Sequence, residues 1–124
     1  MSTKKILLVD DSCVARLVNR MIFSQKTNYV LISAVDGEEA VERAKREKPD
    51  LVLMDIVMPR MTGLEACRAL KKDRETEKIP VILLATRGEE QYVQEGYASG
   101  CSDYLAKPVN DAELLDLLKA YLAE

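Results

Sequence analysis

Residues 51–63 read LVLMDIVMPRMTG, and the order of apolar and polar residues in this stretch indicates the architecture. An unbroken apolar run at 51–54 is typical of a strand that is buried in a sheet. The run ends at Asp55, and after a short loop Gly63 begins a segment with helical periodicity, which we predict to span 63–73. A buried strand followed by an amphipathic helix is the repeating unit of parallel sheets.

The same unit recurs along the chain. Apolar runs with β-branched residues predict further strands at 6–9, 29–35, 81–85 and 104–106. Between them, helical periodicity predicts helices around 14–22 and at 37–48, 89–99 and 111–122. Five strand–helix units in 124 residues imply an α/β fold, a doubly wound five-stranded parallel sheet with helices on both faces.

The first predicted helix carries a continuous apolar stripe with the spacing i, i+3, i+4, i+7 and i+8. We expect this stripe to face the core. It consists of Val14, Leu17, Val18, Met21 and Ile22. Ser12, Asp36 and Asn110 are predicted to cap helix starts. The segment 89–99 has the weakest helical pattern, because Gly96 lowers its helix propensity.

Length and charge narrow the function classes. A chain of 124 residues has the size of one domain, so we expect a single domain over residues 1–124. Lys and Arg number 18 against 21 Asp and Glu, a net charge of −3, so no positive field draws the protein to nucleic acid. Histidine is absent from the sequence, which excludes imidazole base catalysis, histidine-ligated zinc and a role as a phosphohistidine carrier.

Cysteine usage and hydropathy indicate the compartment. The three cysteines, Cys13, Cys67 and Cys101, are widely spaced without a CxxC pair, and we expect buried apolar thiols. The first apolar run is too short for a signal-peptide core, and no stretch approaches the ~20 apolar residues of a membrane helix. We therefore expect a cytoplasmic protein without membrane insertion.

Polar side chains follow four of the five predicted strands. Asp10 and Asp11 come after the first strand, Asp55 after the third, Thr86 after the fourth and Lys107 after the fifth. Ligands of open parallel sheets bind outside the carboxyl ends of the strands, so we expect these side chains to converge there. The second strand ends in Asp36, which we interpret as a helix cap outside the site.

The chemistry of this set favours magnesium and a phosphoryl group. Three converging carboxylates repel one another and favour a bound cation, and oxygen ligands suit Mg²⁺. Magnesium, a lysine and a hydroxyl together neutralise the charge of a phosphoryl group in transfer. A carboxylate is already an anionic nucleophile, and Asp55, at the end of the central strand, is the best placed to form an aspartyl phosphate.

At these residues the sequence resembles the receiver domains of bacterial two-component response regulators, similar to the stand-alone, CheY-like chemotaxis type. The matching strings are LLVDDS at 7–12, LVLMDIVMPRMTG at 51–63, LAT at 84–86 and GCSDYLAKP at 100–108. The resemblance covers the whole chain. It implies the flavodoxin-like (βα)5 arrangement with strand order 2-1-3-4-5, which is the order of a chemotaxis protein used as a standard example of such sheets.

The resemblance also implies roles for individual residues. Asp11 would bind Mg²⁺ directly and Asp10 largely through water, and Asp55 and the carbonyl of Val57 would complete the metal site. Asp55 would accept phosphate from the phosphohistidine of a histidine kinase or phosphotransfer protein.

Lys107 would pair with that phosphate. The Lys107–Pro108 peptide bond would be cis and would help to aim the lysine at the phosphate. Thr86 would move to form a hydrogen bond with the phosphate, and Tyr104 would turn inward behind Thr86. The protein would catalyse its own phosphorylation and dephosphorylation without being an enzyme acting on other substrates.

The resemblance further places the binding of a downstream protein on the face formed by residues 89–99, 103–106 and 111–122, with a monomer or a phosphorylation-dependent dimer as the assembly. The alternative is a pseudo-receiver that interacts with partners independently of phosphorylation. An aspartyl-phosphate phosphatase would need a second aspartate two residues after Asp55, where Val57 stands. A flavin carrier would need a loop rich in Ser, Thr and Gly after the first strand, and here that loop is acidic.

Overall fold

The computed structural model describes residues 3–58, 61–85, 90–107 and 109–122. Five strands alternate with five helices, and a 3₁₀ turn at Glu90–Tyr92 precedes the fourth helix. The strands are β1 (Lys5–Val9), β2 (Val30–Ala34), β3 (Leu51–Asp55), β4 (Val81–Ala85) and β5 (Asp103–Ala106). The helices are α1 (Cys13–Lys26), α2 (Gly37–Glu47), α3 (Gly63–Lys72), α4 (Val93–Ala98) and α5 (Asp111–Leu122).

All four strand pairings are parallel, and the strand order is β2-β1-β3-β4-β5. The predicted doubly wound sheet and its strand order are confirmed. The order reverses direction between β1 and β3, which places the loops after these two strands side by side. Among the described helices, none is long and apolar enough to cross a membrane.

Two apolar layers cover the faces of the sheet. One layer joins α2 and α3 to alternate residues of the central strands, such as Val9, Val52 and Leu83. The other layer joins Phe23 of α1 and Leu114 and Leu118 of α5 to the opposite faces of the same strands. The strands β3 and β4 are buried along their whole length, as expected for a parallel sheet covered on both sides.

The prediction that the apolar stripe of α1 faces the core was wrong. The helix instead buries Phe23, and Ile22 is half-buried. Helical periodicity shows that a helix has an apolar face but not which way that face points. The exposed fractions of the outward-facing side chains are 70% for Val14, 59% for Leu17, 48% for Val18 and 54% for Met21.

The three predicted helix caps are present. The side chains of Ser12, Asp36 and Asn110 accept hydrogen bonds from the backbone N–H groups three residues later. Cysteine burial was predicted only in part, because Cys67 and Cys101 are buried whereas Cys13 is exposed at the start of α1.

Candidate functional site

The carboxyl ends of β1 and β3 bring three carboxylates together. Asp10 and Asp11 follow β1, Asp55 ends β3, and the two strands pair with Val9 beside Met54. One oxygen from each carboxylate lies within 4.8 Å of the others. Asp10 is 1% exposed and Asp55 is 7% exposed, whereas Asp11 is open to solvent. The structure thus places the predicted acidic residues in one cluster at the switch point of the sheet.

Hydrogen bonds hold Asp10 in place from both sides. Its Oδ1 accepts from the backbone N–H of Ser12 at 2.9 Å, and its Oδ2 accepts from Nζ of Lys107 at 3.1 Å. The guanidinium of Arg16 donates to the backbone carbonyl of Asp10 at 2.5 Å. Because both carboxylate oxygens of Asp10 are already engaged, Asp11 is the freer ligand of the two.

Lys107 reaches the cluster from β5. Its backbone N–H donates to the carbonyl of Ala85 at 2.8 Å, which fixes the loop after β5 against the end of β4. Its Nζ lies 2.6 Å from the buried Oδ1 of Asp55 and forms a salt bridge with that carboxylate.

Burial and charge shift the pKa of both partners. Burial is the largest cause, and it raises the pKa of Asp55 from 3.8 to about 7, opposed by Lys107 and reinforced by Asp10. Burial acts to lower the pKa of Lys107, but the carboxylates of Asp55 and Asp10 outweigh it, so that pKa is raised. Lys107 therefore stays charged, while the Asp55 carboxylate needs further positive charge to remain ionised at neutral pH.

The donor set fits a magnesium ion. All the side-chain ligands are carboxylate oxygens, which Mg²⁺ prefers, and the ion keeps several waters that leave room for a phosphate oxygen. Three carboxylates cluster around one lysine ammonium, so an added cation would balance the remaining negative charge. Asp11, Asp55 and, through water, Asp10 are the residues that would hold it.

Backbone hydrogen bonds hold Ile56 and Gly63, which follow the end of β3. The N–H of Ile56 donates to the carbonyl of Leu84 at 3.1 Å, and the N–H of Gly63 donates to the carbonyl of Ile56 at 2.7 Å. A Cβ at position 63 would collide with the backbone carbonyl oxygen of Asp55, so only glycine permits this approach. The start of α3 therefore packs directly against the residue that ends β3.

A further helix cap, which was not predicted, holds the start of α3. Thr62 and Glu65 form a capping box, in which each side chain accepts a hydrogen bond from the other residue's backbone N–H. The T-x-x-E spacing at 62–65 is a recognised sequence signal for this motif.

Of the remaining predicted site residues, the structure describes Val57 and Tyr104 but not Thr86. Val57, two residues after Asp55, is 53% exposed. Tyr104 on β5 is half-buried, and its ring meets that of Tyr97 edge to face at a centroid distance of 6.4 Å. Thr86 lies outside the described residues, as does Pro108 with the cis peptide bond predicted before it.

The fold and this acidic cluster together define a doubly wound α/β protein with three clustered carboxylates at its switch point. A family model for the response regulator receiver domain matches residues 6–119. The chain therefore belongs to the response regulator receiver domain family, whose members are signalling domains of two-component systems that interact with histidine kinases.

Individual proteins show the same relationship. The chain is 42% identical over 119 residues to protein PilH of Pseudomonas aeruginosa, covering 96% of this chain and 98% of PilH. The chemotaxis response regulator CheY4 of Vibrio cholerae superposes with a TM-score of 0.87 at 32% identity, covering 97% of this chain and 99% of CheY4. A second solved structure is the receiver domain of the sensor histidine kinase PA1611 from P. aeruginosa, with a magnesium ion coordinated in its active site cleft. It superposes with a TM-score of 0.90 at 29% identity, covering 99% of this chain and 100% of that domain.

Proposed function

We propose that this chain is a single receiver domain, residues 1–124, that accepts a phosphoryl group on Asp55 in a magnesium-dependent reaction. The observation that carries the proposal is the buried Oδ1 of Asp55, 2.6 Å from Nζ of Lys107 and clustered with Asp10 and Asp11. A buried carboxylate beside one lysine and two more carboxylates has little value for stability. The arrangement of these charges instead suits the temporary attachment of a charged phosphoryl group to Asp55.

The protein's own side chains can perform most of the transfer. The Asp55 carboxylate attacks phosphorus, so that a P–O bond forms while the P–N bond to a donor imidazole breaks and its electron pair returns to that nitrogen, which takes up a proton from water. Lys107 stays charged and neutralises the oxygens of the transferred group. Bound Mg²⁺ would supply the remaining positive charge and would favour the ionised form of Asp55.

Hydrolysis of the aspartyl phosphate would reset the protein. Water attacks phosphorus, the acyl P–O bond breaks, and the products are inorganic phosphate and the regenerated carboxyl group of Asp55. Val57, two residues after Asp55, is exposed, and its apolar side chain offers no hydrogen bond to orient that water. We therefore propose that self-dephosphorylation is slow.

The exposed apolar stripe of α1 is the surface where we propose that the phosphate donor docks. A phosphohistidine must reach Asp55, so the donor protein must cover the surroundings of the site. The stripe begins at Val14, less than one helical turn after Asp11, and contiguous exposed apolar side chains mark interaction sites. A histidine kinase or phosphotransfer protein with a complementary apolar surface would bury this stripe.

Phosphorylation would change the face formed by α4, β5 and α5, where we propose that a downstream protein binds. Added negative charge at Asp55 would draw Thr86 toward the phosphate and vacate space behind it for Tyr104, shifting an existing equilibrium. Tyr104 lies on β5 and its ring contacts that of Tyr97 on α4, so its movement would alter this face. The pseudo-receiver alternative is not favoured, because the acidic cluster and Lys107 are in place.

The proposal is tested by measuring the intact mass after incubation with acetyl phosphate. The native chain should gain the mass of one phosphoryl group when Mg²⁺ is present. It should show no gain in mass when EDTA is present from the start of the incubation. The matched control is Asp55→Asn, which keeps the side-chain shape and removes the acceptor oxygen. An unmodified native mass despite demonstrated Mg²⁺ binding would overturn the proposal in favour of the pseudo-receiver.

A further inference from the structure

A groove lies between the edge strand β5 and helix α5, and none of its lining residues belongs to the acidic cluster. Its volume is about 390 Å³. Tyr104, Leu105, Leu117 and Ala120 give it an apolar lining. β5 pairs with β4 alone, so the groove opens along the free edge of the sheet.

The rim of this groove is acidic. Asp103 contributes from β5, and Glu113 and Asp116 contribute from α5. Of the described residues that line the groove, none is basic. The Oδ1 of Asp103 accepts hydrogen bonds from the backbone N–H of Tyr104 at 2.9 Å and from the hydroxyl of Tyr97 at 3.4 Å, so this carboxylate is held at the rim. Glu113 and Asp116 are exposed.

We infer that the groove binds a cationic amphipathic segment of a second protein. An apolar side chain of that segment would occupy the groove, and flanking lysine or arginine side chains would meet the three carboxylates. Charge complementarity of this kind selects partners and speeds their encounter. The inference rests on the proposed function, because it assigns a chemical class to the target that binds the α4-β5-α5 face.

The same charges argue against a second copy of this chain as the occupant. A two-fold symmetric contact places one patch against an identical patch. Two copies joined through this groove would bring the Asp103, Glu113 and Asp116 carboxylates of one chain against those of the other. Such like-charge contacts oppose association, so the face selects a basic partner.

The test uses a fluorescent amphipathic peptide of about 15 residues, with leucines on one helical face and lysines elsewhere, and a twin in which glutamate replaces lysine. Binding to the full chain is measured by anisotropy and mapped by amide NMR shifts. The groove variant is Glu113→Gln with Asp116→Asn. The matched control is Glu38→Gln with Glu42→Gln, which removes the same charge from another helix whose side chains line a second acidic groove.

We expect amide shifts on β5 and α5, and about fivefold weaker binding of the lysine peptide to the groove variant than to the native chain. The control variant should bind within about twofold of the native chain. Equal weakening by both variants, shifts centred on α2, or equally tight binding of the glutamate twin would overturn the inference.

A parallel sample treated with acetyl phosphate and Mg²⁺ separates this inference from the proposed function. If Asp55 takes no phosphoryl group while binding still depends on Glu113 and Asp116, the proposed function fails and the groove assignment stands. If Asp55 is phosphorylated and the groove and control variants bind the lysine peptide with equal affinity, the proposed function stands and the groove assignment fails.

Discussion

The Asp55 carboxyl group shows how one residue links the fold to its chemistry. Burial raises the pKa of Asp55 to about 7, so the metal-free native protein holds a proton that the unfolded chain releases near pH 4. Between those two values the native state binds more protons than the unfolded state. Ionisation of this group therefore opposes folding, and a bound cation relieves that opposition.

The first prediction is that metal-free protein loses stability as pH rises from about 4 to about 7, with no further loss from this group above that range. Asp55→Asn cannot ionise and should lack the loss. We expect the difference in unfolding free energy between the two proteins to change by at most about 4 kcal/mol across the window. Urea unfolding in EDTA at several pH values measures it. A difference that stays constant with pH would contradict the assignment.

A second prediction concerns the contact between the start of α3 and the end of β3. Gly63→Ala places a methyl group against the backbone carbonyl of Asp55, which cannot move without disturbing the sheet. We expect a loss of more than about 2 kcal/mol in unfolding free energy.

The control for that substitution is Gly96→Ala. There the added methyl group meets the end of the Leu83 side chain rather than a backbone carbonyl, and alanine improves helix propensity. The expected loss is smaller than at Gly63. Equal losses in the two variants, measured by urea unfolding, would show that the close approach at Gly63 is not rigid.

At the scale of elements, helix α1 is the one whose orientation differs from expectation. Its stripe from Val14 to Met21 has the spacing of a core-facing surface, yet the helix packs through Phe23 on its other side. Sequence periodicity could identify the apolar face but could not distinguish a surface buried within the chain from one that another protein buries. The same spacing serves both purposes, because both bury apolar area.

The third prediction tests whether this stripe serves docking or folding. Leu17→Gln with Met21→Gln should change the free energy of unfolding by less than about 0.5 kcal/mol per site, since both side chains are exposed. The control Phe23→Ala should lose about 3–5 kcal/mol, because Phe23 is buried.

Phosphorylation rates with two different donors also distinguish a docking role of the α1 stripe from a folding role. The double variant should accept phosphate from acetyl phosphate at the native rate, but about tenfold more slowly from a phosphorylated histidine phosphotransfer domain. Equal slowing with both donors would place the effect in the chemistry of the site rather than in docking.

The segment at 89–99 shows a second limit of prediction at this scale. Its pattern is weak, and the structure contains a 3₁₀ turn at Glu90–Tyr92 followed by the short helix α4 at Val93–Ala98. Gly96 packs where a Cβ would contact Leu83, so its presence reflects tight packing that no local pattern reveals. The strands were easier to predict, because each is a short apolar run bounded by polar residues.

At the scale of the whole molecule, much of the candidate site was predictable because a parallel sheet gathers its strand ends at one edge. Asp10, Asp55 and Lys107 are distant in sequence, yet each directly follows or ends a strand, and the topology brings them together. The raised pKa of Asp55 was not predictable, because it depends on how deeply the folded chain buries that carboxylate. The groove between β5 and α5 likewise depends on how that helix packs beside the edge strand.

The most direct measurement of the central claim locates the phosphoryl group. Borohydride reduces an aspartyl phosphate to homoserine, so the protein is treated with acetyl phosphate and Mg²⁺, reduced, digested and sequenced by mass spectrometry. The account predicts homoserine at position 55 and none when Mg²⁺ is removed. Homoserine at position 10 or 11, or none at any position despite bound Mg²⁺, would contradict it.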